Sequence, residues 1–437
     1  MSVFSSASSA SSASSASSAS SASSASSASS AMNGVPGYAG AIVNPTLTLA
    51  IESTRQFLKI KVLDELPLGE ALLDPKLFGG WPGNLVPAVD DKDQLLRWQP
   101  DCRASVLAFE ALSGMHFVTA RDEVEPKNDA ARDEVEPKKP GRAELWLSKS
   151  AKGKFSGDCL ISMTRPELPV LVQQAARVVE QARDRLMPKS EDVASRDRLT
   201  EITSQVVPPF AFWCAALPMH PDRMPRTIEL IELTLTLASF VVQRFKHALA
   251  VPRPNQINAA VFPAILTPAH ASLPSGHATE AFAVANVLLS LLYPGKDRQA
   301  RCGSGLGKML LGLAARIADN RQVAGLHYPI DTIAGRLLGT VLADYLVSRC
   351  SGGPCLSGEF NGADIRLDPK DGAVQVLTGS LRNEVVGVPD IRGQGLKVGN
   401  DGLCSLTDKQ IETSKSDALS WLWERAGGEW GGSPNQS

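Results

Sequence analysis

Three short blocks of the sequence gather side chains suited to one kind of ligand. The first runs from Lys246 to Arg253 and Pro254, the second is Pro274-Ser275-Gly276-His277, and the third spans Arg321, His327 and Asp331. Lys246, Arg253 and Arg321 supply three cations, two of them planar guanidiniums that match the oxygens of an oxyanion. Ser275 and Gly276 precede an apolar helical run. They offer a hydroxyl and small-residue amides at a helix start, where unpaired N–H groups and the macrodipole favour an anion. His327 is a candidate nucleophile or metal ligand, and Asp331, four residues on, is spaced to hold its other ring nitrogen and fix the tautomer. His277 is a candidate general acid or base. Any one of these cations alone reads as a solvated or salt-bridged surface charge. Together the three blocks predict a site for phosphate or a geometric mimic of it. His270, in a loop between Pro268 and Pro274, reads equally as a structural or a functional residue. His247 reads as surface, and His116 and His220 lie outside every block.

The elements that must position these blocks are helical. Apolar residues at helical spacing, Leu171, Ala175, Val179, Ala182 and Leu186, predict one amphipathic helix. Ile228, Ile231, Leu235, Ala238, Val242 and Phe245 predict a second that ends near Lys246. Further helices are expected at about 277–293, 305–320 and 329–349, with Pro329 as the first residue of the last. Weaker patterns suggest helices at 45–63 and 92–112. The predicted fold class is therefore all-α, a helical bundle with a disordered N-terminus and an irregular C-terminal tail.

Four regions follow. Residues 1–35 carry a Ser-Ser-Ala repeat with almost nothing to bury, and are expected to be disordered. Residues 36–165 form an accessory region in which AlaArgAspGluValGluProLys occurs twice, at 120–127 and 131–138. Two charged copies make a surface loop, not a solenoid. Residues 166–350 are the catalytic helical domain. Residues 351–437 are rich in Gly and in short polar or β-branched runs, and read as loops with a few short strands, docked by Trp421 and Trp423.

Composition narrows the function classes. The chain of 437 residues holds 44 Lys and Arg against 46 Asp and Glu, a formal net charge of −2. That balance gives no support to nucleic-acid or anionic-membrane binding. Seven cysteines without CxxC spacing argue against a zinc site or a disulfide framework. The uncharged helical run from Ala281 to Gly295 is too short to span a bilayer and carries Asn286 and Ser290. The start MetSerValPheSerSer has neither a basic nor an apolar leader segment, so the expected compartment is cytoplasmic.

The three blocks resemble the signature of the type 2 phosphatidic acid phosphatase (PAP2) and vanadium haloperoxidase superfamily: Lys-x6-Arg-Pro, Pro-Ser-Gly-His and Ser-Arg-x5-His-x3-Asp. Asn320 stands where many members have Ser. The resemblance implies that Lys246, Arg253, Ser275, Gly276 and Arg321 hold vanadate as cofactor, that His327 bonds the metal, and that His277 handles protons. In the phosphatase branch it implies instead that His327 attacks phosphorus and forms a phospho-histidine. One geometry serves both, because vanadate resembles the pentavalent phosphoryl transition state. The run from His270 to His277, and the third block with Gln322, Gly325 and Tyr328, look similar to bromoperoxidases. The expected function is a vanadate-dependent haloperoxidase that oxidises bromide or iodide with hydrogen peroxide and halogenates an organic acceptor. The alternatives are a soluble PAP2-type acid phosphatase acting on phosphate monoesters, and a phosphate- or vanadate-binding protein without turnover.

Overall fold

The computed structural model describes residues 92–96, 98, 100–119, 141–149, 156–186, 193–206, 210–365 and 404–431. The Ser-Ser-Ala tract, the helix expected at 45–63 and the charged repeat at 120–138 lie outside the described residues. The described residues up to Arg103 belong to one compact unit, and those from Ala104 onward to another. The three sequence blocks lie wholly in the second.

In chain order, a 3-10 turn at Lys92–Leu96 precedes α1 (Pro100–Leu112), β1 (Met115–Thr119), β2 (Arg142–Lys149) and β3 (Ser156–Thr164). Helices α2 (Leu168–Leu186), α3 (Val193–Ser204), α4 (Phe210–Ala216), α5 (Pro225–Leu249) and the short α6 (Pro254–Ile257) follow. Then come α7 (Gly276–Leu292), α8 (Arg298–Gly303), α9 (Gly305–Val323) and α10 (Pro329–Ser351). The described chain ends with β4 (Pro354–Asn361), β5 (Cys404–Glu412) and α11 (Asp417–Gly428). Among the described residues, no helix is long and apolar enough to cross a membrane.

Helices α5, α7, α9 and α10 agree with the periodicity within a few residues, and the short α6 and α8 were not expected. The all-α expectation does not survive, because five strands pair in the order β1-β2-β3-β4-β5, antiparallel throughout except for the parallel pair β3–β4. The physical reason is visible strand by strand. In β2, Ala143, Leu145 and Leu147 are buried on one face, and on the other Glu144 is buried between Arg142 and Trp146, which both donate to it. In β3, Leu160, Ile161 and Met163 are all buried, so this central strand is covered on both faces. β4 takes off from the end of α10 through Gly352 (φ 84°) and Gly353 (φ 91°), a left-handed reversal that glycine adopts without strain. The sheet then lies against α10 so closely that a Cβ on Gly358 would meet Leu337 and Val341 at 3.1 Å. The tail expected to be irregular thus supplies two strands and a helix. Trp421 of α11 is buried and Trp423 half-buried, as their docking role requires.

The first helical stripe is real but rotated slightly. Leu171, Ala175 and Val178 are buried, while Val179 is only half-buried. Helix α7 is the centre of the bundle. Phe282, Val284, Leu288 and Leu289 point in different directions round it, and all are buried, as expected for a helix apolar on every side. Burying each such side chain contributes about 1.5–3 kcal/mol. Its crossing with α10 is unusually close: a Cβ on Gly335 would lie 2.6 Å from the Ser275 carbonyl oxygen, and one on Gly339 2.3 Å from that of Thr279. These two glycines, one turn apart, bring the second sequence block onto the third. The contact is sealed where the Ser275 N–H donates to the Asp331 carbonyl at 2.9 Å.

Candidate active site

Each block reaches the site through the way its helix starts or stops. Helix α5 ends at Ala250, whose left-handed backbone (φ 49°) returns its N–H to the Lys246 carbonyl. Lys246 therefore sits in the last turn, and the chain bends into Val251, Pro252 and Arg253. Helix α9 places Arg321 in its last turn, and Gly325 (φ 74°) redirects the chain toward Leu326 and His327. Helix α10 begins with Pro329 at its first position, where a missing N–H costs nothing. Asp331, two residues further, reaches back to take the Tyr328 N–H at 3.1 Å, half of a capping box.

That capping carboxylate also orients the nucleophile candidate. His327 donates from Nδ1 to Asp331 Oδ2 at 2.9 Å, and the Ser272 hydroxyl donates to the same oxygen at 2.5 Å. On the other side of the ring, Arg253 Nη1 lies 3.0 Å from His327 Nε2. A guanidinium only donates, so Nε2 carries the lone pair and the tautomer is fixed with its proton on Nδ1. Burial, Arg253 and Lys246 hold the His327 imidazole well below its usual pKa, so it stays neutral. Burial pushes Asp331 up to about 6, against the Ser272 bond and the Lys246 charge. At neutral pH the pair is carboxylate and neutral imidazole, and the Nε2 lone pair, which here accepts from Arg253 Nη1, can bond an electrophilic centre when that donor gives way.

The cations surround that nitrogen. Lys246 Nζ donates to the carbonyls of Ala271 (2.9 Å) and Ser272 (2.7 Å), which leaves its third N–H for the cleft. Arg253 is bound on all three nitrogens, by the His270 carbonyl, the Leu326 carbonyl, His327 and His270 Nδ1. Arg321 is different. Its Nη2 donates to the Ile202 carbonyl (3.0 Å) and to Gln205 Oε1 (3.1 Å), while Nε and Nη1 are buried with no partner among the described residues. All three cations are at most 1% exposed. Burial lowers Arg253 and Arg321 to about 10, and burial with the Arg253 charge lowers Lys246 well below its usual value.

A cleft opens onto this cluster, lined by Lys246, Arg253, His270, Gly276, His277, Arg321 and His327, with Val206, Pro268, Glu280 and Leu326 among its other walls. His277 donates from Nε2 to the Gln205 carbonyl at 2.8 Å, which leaves the lone pair of its neutral ring on Nδ1. Burial and then Arg321 lower its pKa to about 3. His270, lowered to about 4 by burial and the Lys246 and Arg253 charges, accepts from Arg253 Nη2 at 3.1 Å and is a neutral site residue. One expected ligand, Ser275, stands elsewhere, whereas Asp331 holds the ring nitrogen of His327 that its spacing predicts. Ser275 is fully buried, caps α7 by accepting from the Ala278 N–H, and is not among the lining residues. Asp331 lies behind His327 and acts through it.

Three participants had no place in the sequence reading. Ser272 is the second side-chain partner of Asp331. Gln205, after α3, touches both Arg321 and His277. Glu280, 7% exposed, lines the cleft one turn beyond His277 and is raised to about 7 by burial, opposed by Lys246. A signal for Glu280 existed: it is the lone charge between two uncharged runs, 255–279 and 281–295. Ser272 and Gln205 carried none.

The arrangement suits a tetrahedral oxyanion. Buried cations without counter-charge are costly, on the order of several kcal/mol each. A bound anion offsets that cost while pairing the orphaned Arg321 nitrogens. Residues 230–351 match the family model of the PAP2 superfamily, a span that contains every site residue from Lys246 to Asp331 and excludes α3, β1–β5 and α11. No curated protein matches the chain.

Proposed function

We propose that the chain is a PAP2-superfamily enzyme that takes a tetrahedral oxyanion into this cleft and bonds its central atom to His327 Nε2. We propose further that it works as a vanadate-dependent haloperoxidase on bromide or iodide. The observation that carries the oxyanion reading is the unprotonated Nε2 of His327 set among three buried cations, one with two unpaired nitrogens. Those groups fit vanadate: Arg321, Lys246 and the Gly276 amide would hold its oxygens and His327 its metal. Bound vanadate supplies a Lewis-acid centre that activates hydrogen peroxide toward halide without a change of metal oxidation state. Asp331 keeps the His327 proton on Nδ1, and Ser272 keeps Asp331 ionised. His277 Nδ1 would take a proton from hydrogen peroxide once a bound anion offsets the Arg321 charge that, after burial, holds its pKa down. His270 supports the reading from the sequence side, through its likeness to bromoperoxidases, and from its seat on Arg253.

Glu280 favours a second reading, phosphate-monoester hydrolysis. A permanently bound anion gains nothing from a carboxyl on the cleft wall, whereas a departing alkoxide gains a proton donor. In that reaction His327 Nε2 forms a bond to phosphorus, the ester P–O bond breaks, and the leaving oxygen takes a proton before water releases phosphate.

One experiment separates the two. The anion-stripped protein is divided between orthovanadate and plain buffer, phosphate being absent, and each portion is assayed for halide oxidation by hydrogen peroxide and for cleavage of a chromogenic phosphate ester. The haloperoxidase reading expects halide oxidation that appears with vanadate and disappears with excess phosphate. Ester cleavage that vanadate abolishes, with no halide oxidation, would overturn it in favour of the phosphatase.

A further inference from the structure

The shell behind Arg321 lies outside the family-matched segment. Gln205 follows α3 and is fully buried. Its side-chain oxygen accepts from Arg321 Nη2 at 3.1 Å and from Asn320 Nδ2 at 2.9 Å, and its backbone carbonyl accepts from His277 Nε2 at 2.8 Å. Its own Nε2 has no partner among the described residues, and its neighbour Val206 lines the cleft. One residue thus grips an anion-binding guanidinium with one oxygen and the candidate proton-transfer histidine with another.

The anchorage of α3 is equally specific. Asn320 Nδ2 also donates to Glu201 Oε2 at 2.8 Å, and Glu201 receives Arg316 on both oxygens at 2.8 and 2.9 Å. Arg198 pairs with Asp319 nearby. Asn320 stands where the superfamily pattern often has Ser. An amide nitrogen carries two hydrogens and reaches both Glu201 and Gln205, whereas a hydroxyl has one to give.

We infer that Gln205 is a positioning residue for the oxyanion site, holding Arg321 so that Nε and Nη1 stay unpaired for the ligand, and that Asn320 couples this grip to α3. The inference rests on the oxyanion reading alone and holds whether the enzyme handles vanadate or phosphate esters.

The probe is orthovanadate, titrated calorimetrically into anion-stripped full-length protein, with thermal melting measured in parallel. Gln205→Met removes the side-chain oxygen but keeps the backbone carbonyl on His277. It is expected to weaken vanadate about 10-fold, with proton uptake on binding unchanged. Gln205→Glu preserves shape and both donors' acceptor, so it keeps the fold even where Gln205→Met does not. Its carboxylate would neutralise Arg321 and weaken binding by at least as much. Asn320→Ser, which loses one of two bonds, is expected to weaken binding only a few-fold. If Gln205→Glu melts and binds vanadate like the wild type, or if Gln205→Met melts lower yet binds equally well, the residue is merely structural and the inference fails. Failure of the wild type to bind vanadate or inorganic phosphate would instead remove the oxyanion reading beneath it.

Discussion

The two guanidiniums of the cleft are equally buried and differently occupied. Arg253 has partners on every nitrogen and spends one of them on His327 Nε2. Arg321 is held by one nitrogen and leaves two without protein partners. The Arg253 side, with Lys246, Ser272 and Asp331, is a finished network whose work is to set the His327 ring. The Arg321 side is left unfinished by its neighbours, since Ile202 of α3 and Gln205 just after it supply acceptors for Nη2 alone. A buried donor left unmade costs about 1–3 kcal/mol, and the chain carries that cost where a ligand can relieve it. Motif residues of one type thus divide into organisers and receivers, and only their partners tell them apart.

The largest expected effect comes from the organised side. Replacing His327 with Ala removes the atom proposed to bond the reacting centre, so turnover should fall on the order of 10³-fold or more, with little change in melting temperature. Near-normal turnover in a folded His327→Ala protein would remove that side from the chemistry. Asp331→Asn should be milder. It keeps the shape but disturbs the tautomer and the Ser272 bond, and a loss of about 10–100-fold in vanadate affinity or activity is expected. A variant with unchanged affinity would show that the ring is held by Arg253 and not by the carboxylate.

The helix crossing joins the two sides, and Gly339→Ala tests it. With a Cβ 2.3 Å from the Thr279 carbonyl oxygen, α7 and α10 must move apart, at a cost of about 1–3 kcal/mol in denaturant unfolding. Unchanged stability would mean the crossing adjusts freely and does not fix the second block on the third. Glu280→Gln should have the smallest effect, and only at the alkaline end. Burial raises this carboxyl to about 7, so it is neutral below that pH and anionic above it. Affinity for sulfate, whose charge is constant, should therefore fall about 3- to 10-fold as pH rises from about 6 to about 8. The Gln variant should bind more tightly at the upper end and lose that slope. An identical slope in the variant would assign the titration to Asp331.

How much of this was legible depends on the range of the interaction. Lys246, Arg253, Arg321, His327 and Asp331 are placed by local events, a helix end or a helix start, which spacing and proline positions announce. The His327–Asp331 bond needs only a capping box. Gly335 and Gly339, one turn apart inside a helix, were a visible sign of close crossing that periodicity alone passes over. Gln205 was invisible because its role exists only when α3 docks on α9. The sheet was missed for the same reason: Ile161 pairs with Gly358, and Cys355 with Ile411, across stretches that no short window joins. Short strands such as Met115–Thr119 also carry too few residues to outweigh the helical signal around them.

Whether the cleft binds a tetrahedral oxyanion with His327 Nε2 as its bonding partner can be read from a crystal structure of the protein grown with orthovanadate. Vanadium is expected to be bonded to His327 Nε2, its oxygens paired with Arg321 Nε and Nη1 and with Lys246 Nζ, and Asp331 still on Nδ1. Vanadate bound away from His327, or a cleft without it at saturating concentration and Arg321 still unpaired, would rule out His327 Nε2 as the bonding atom.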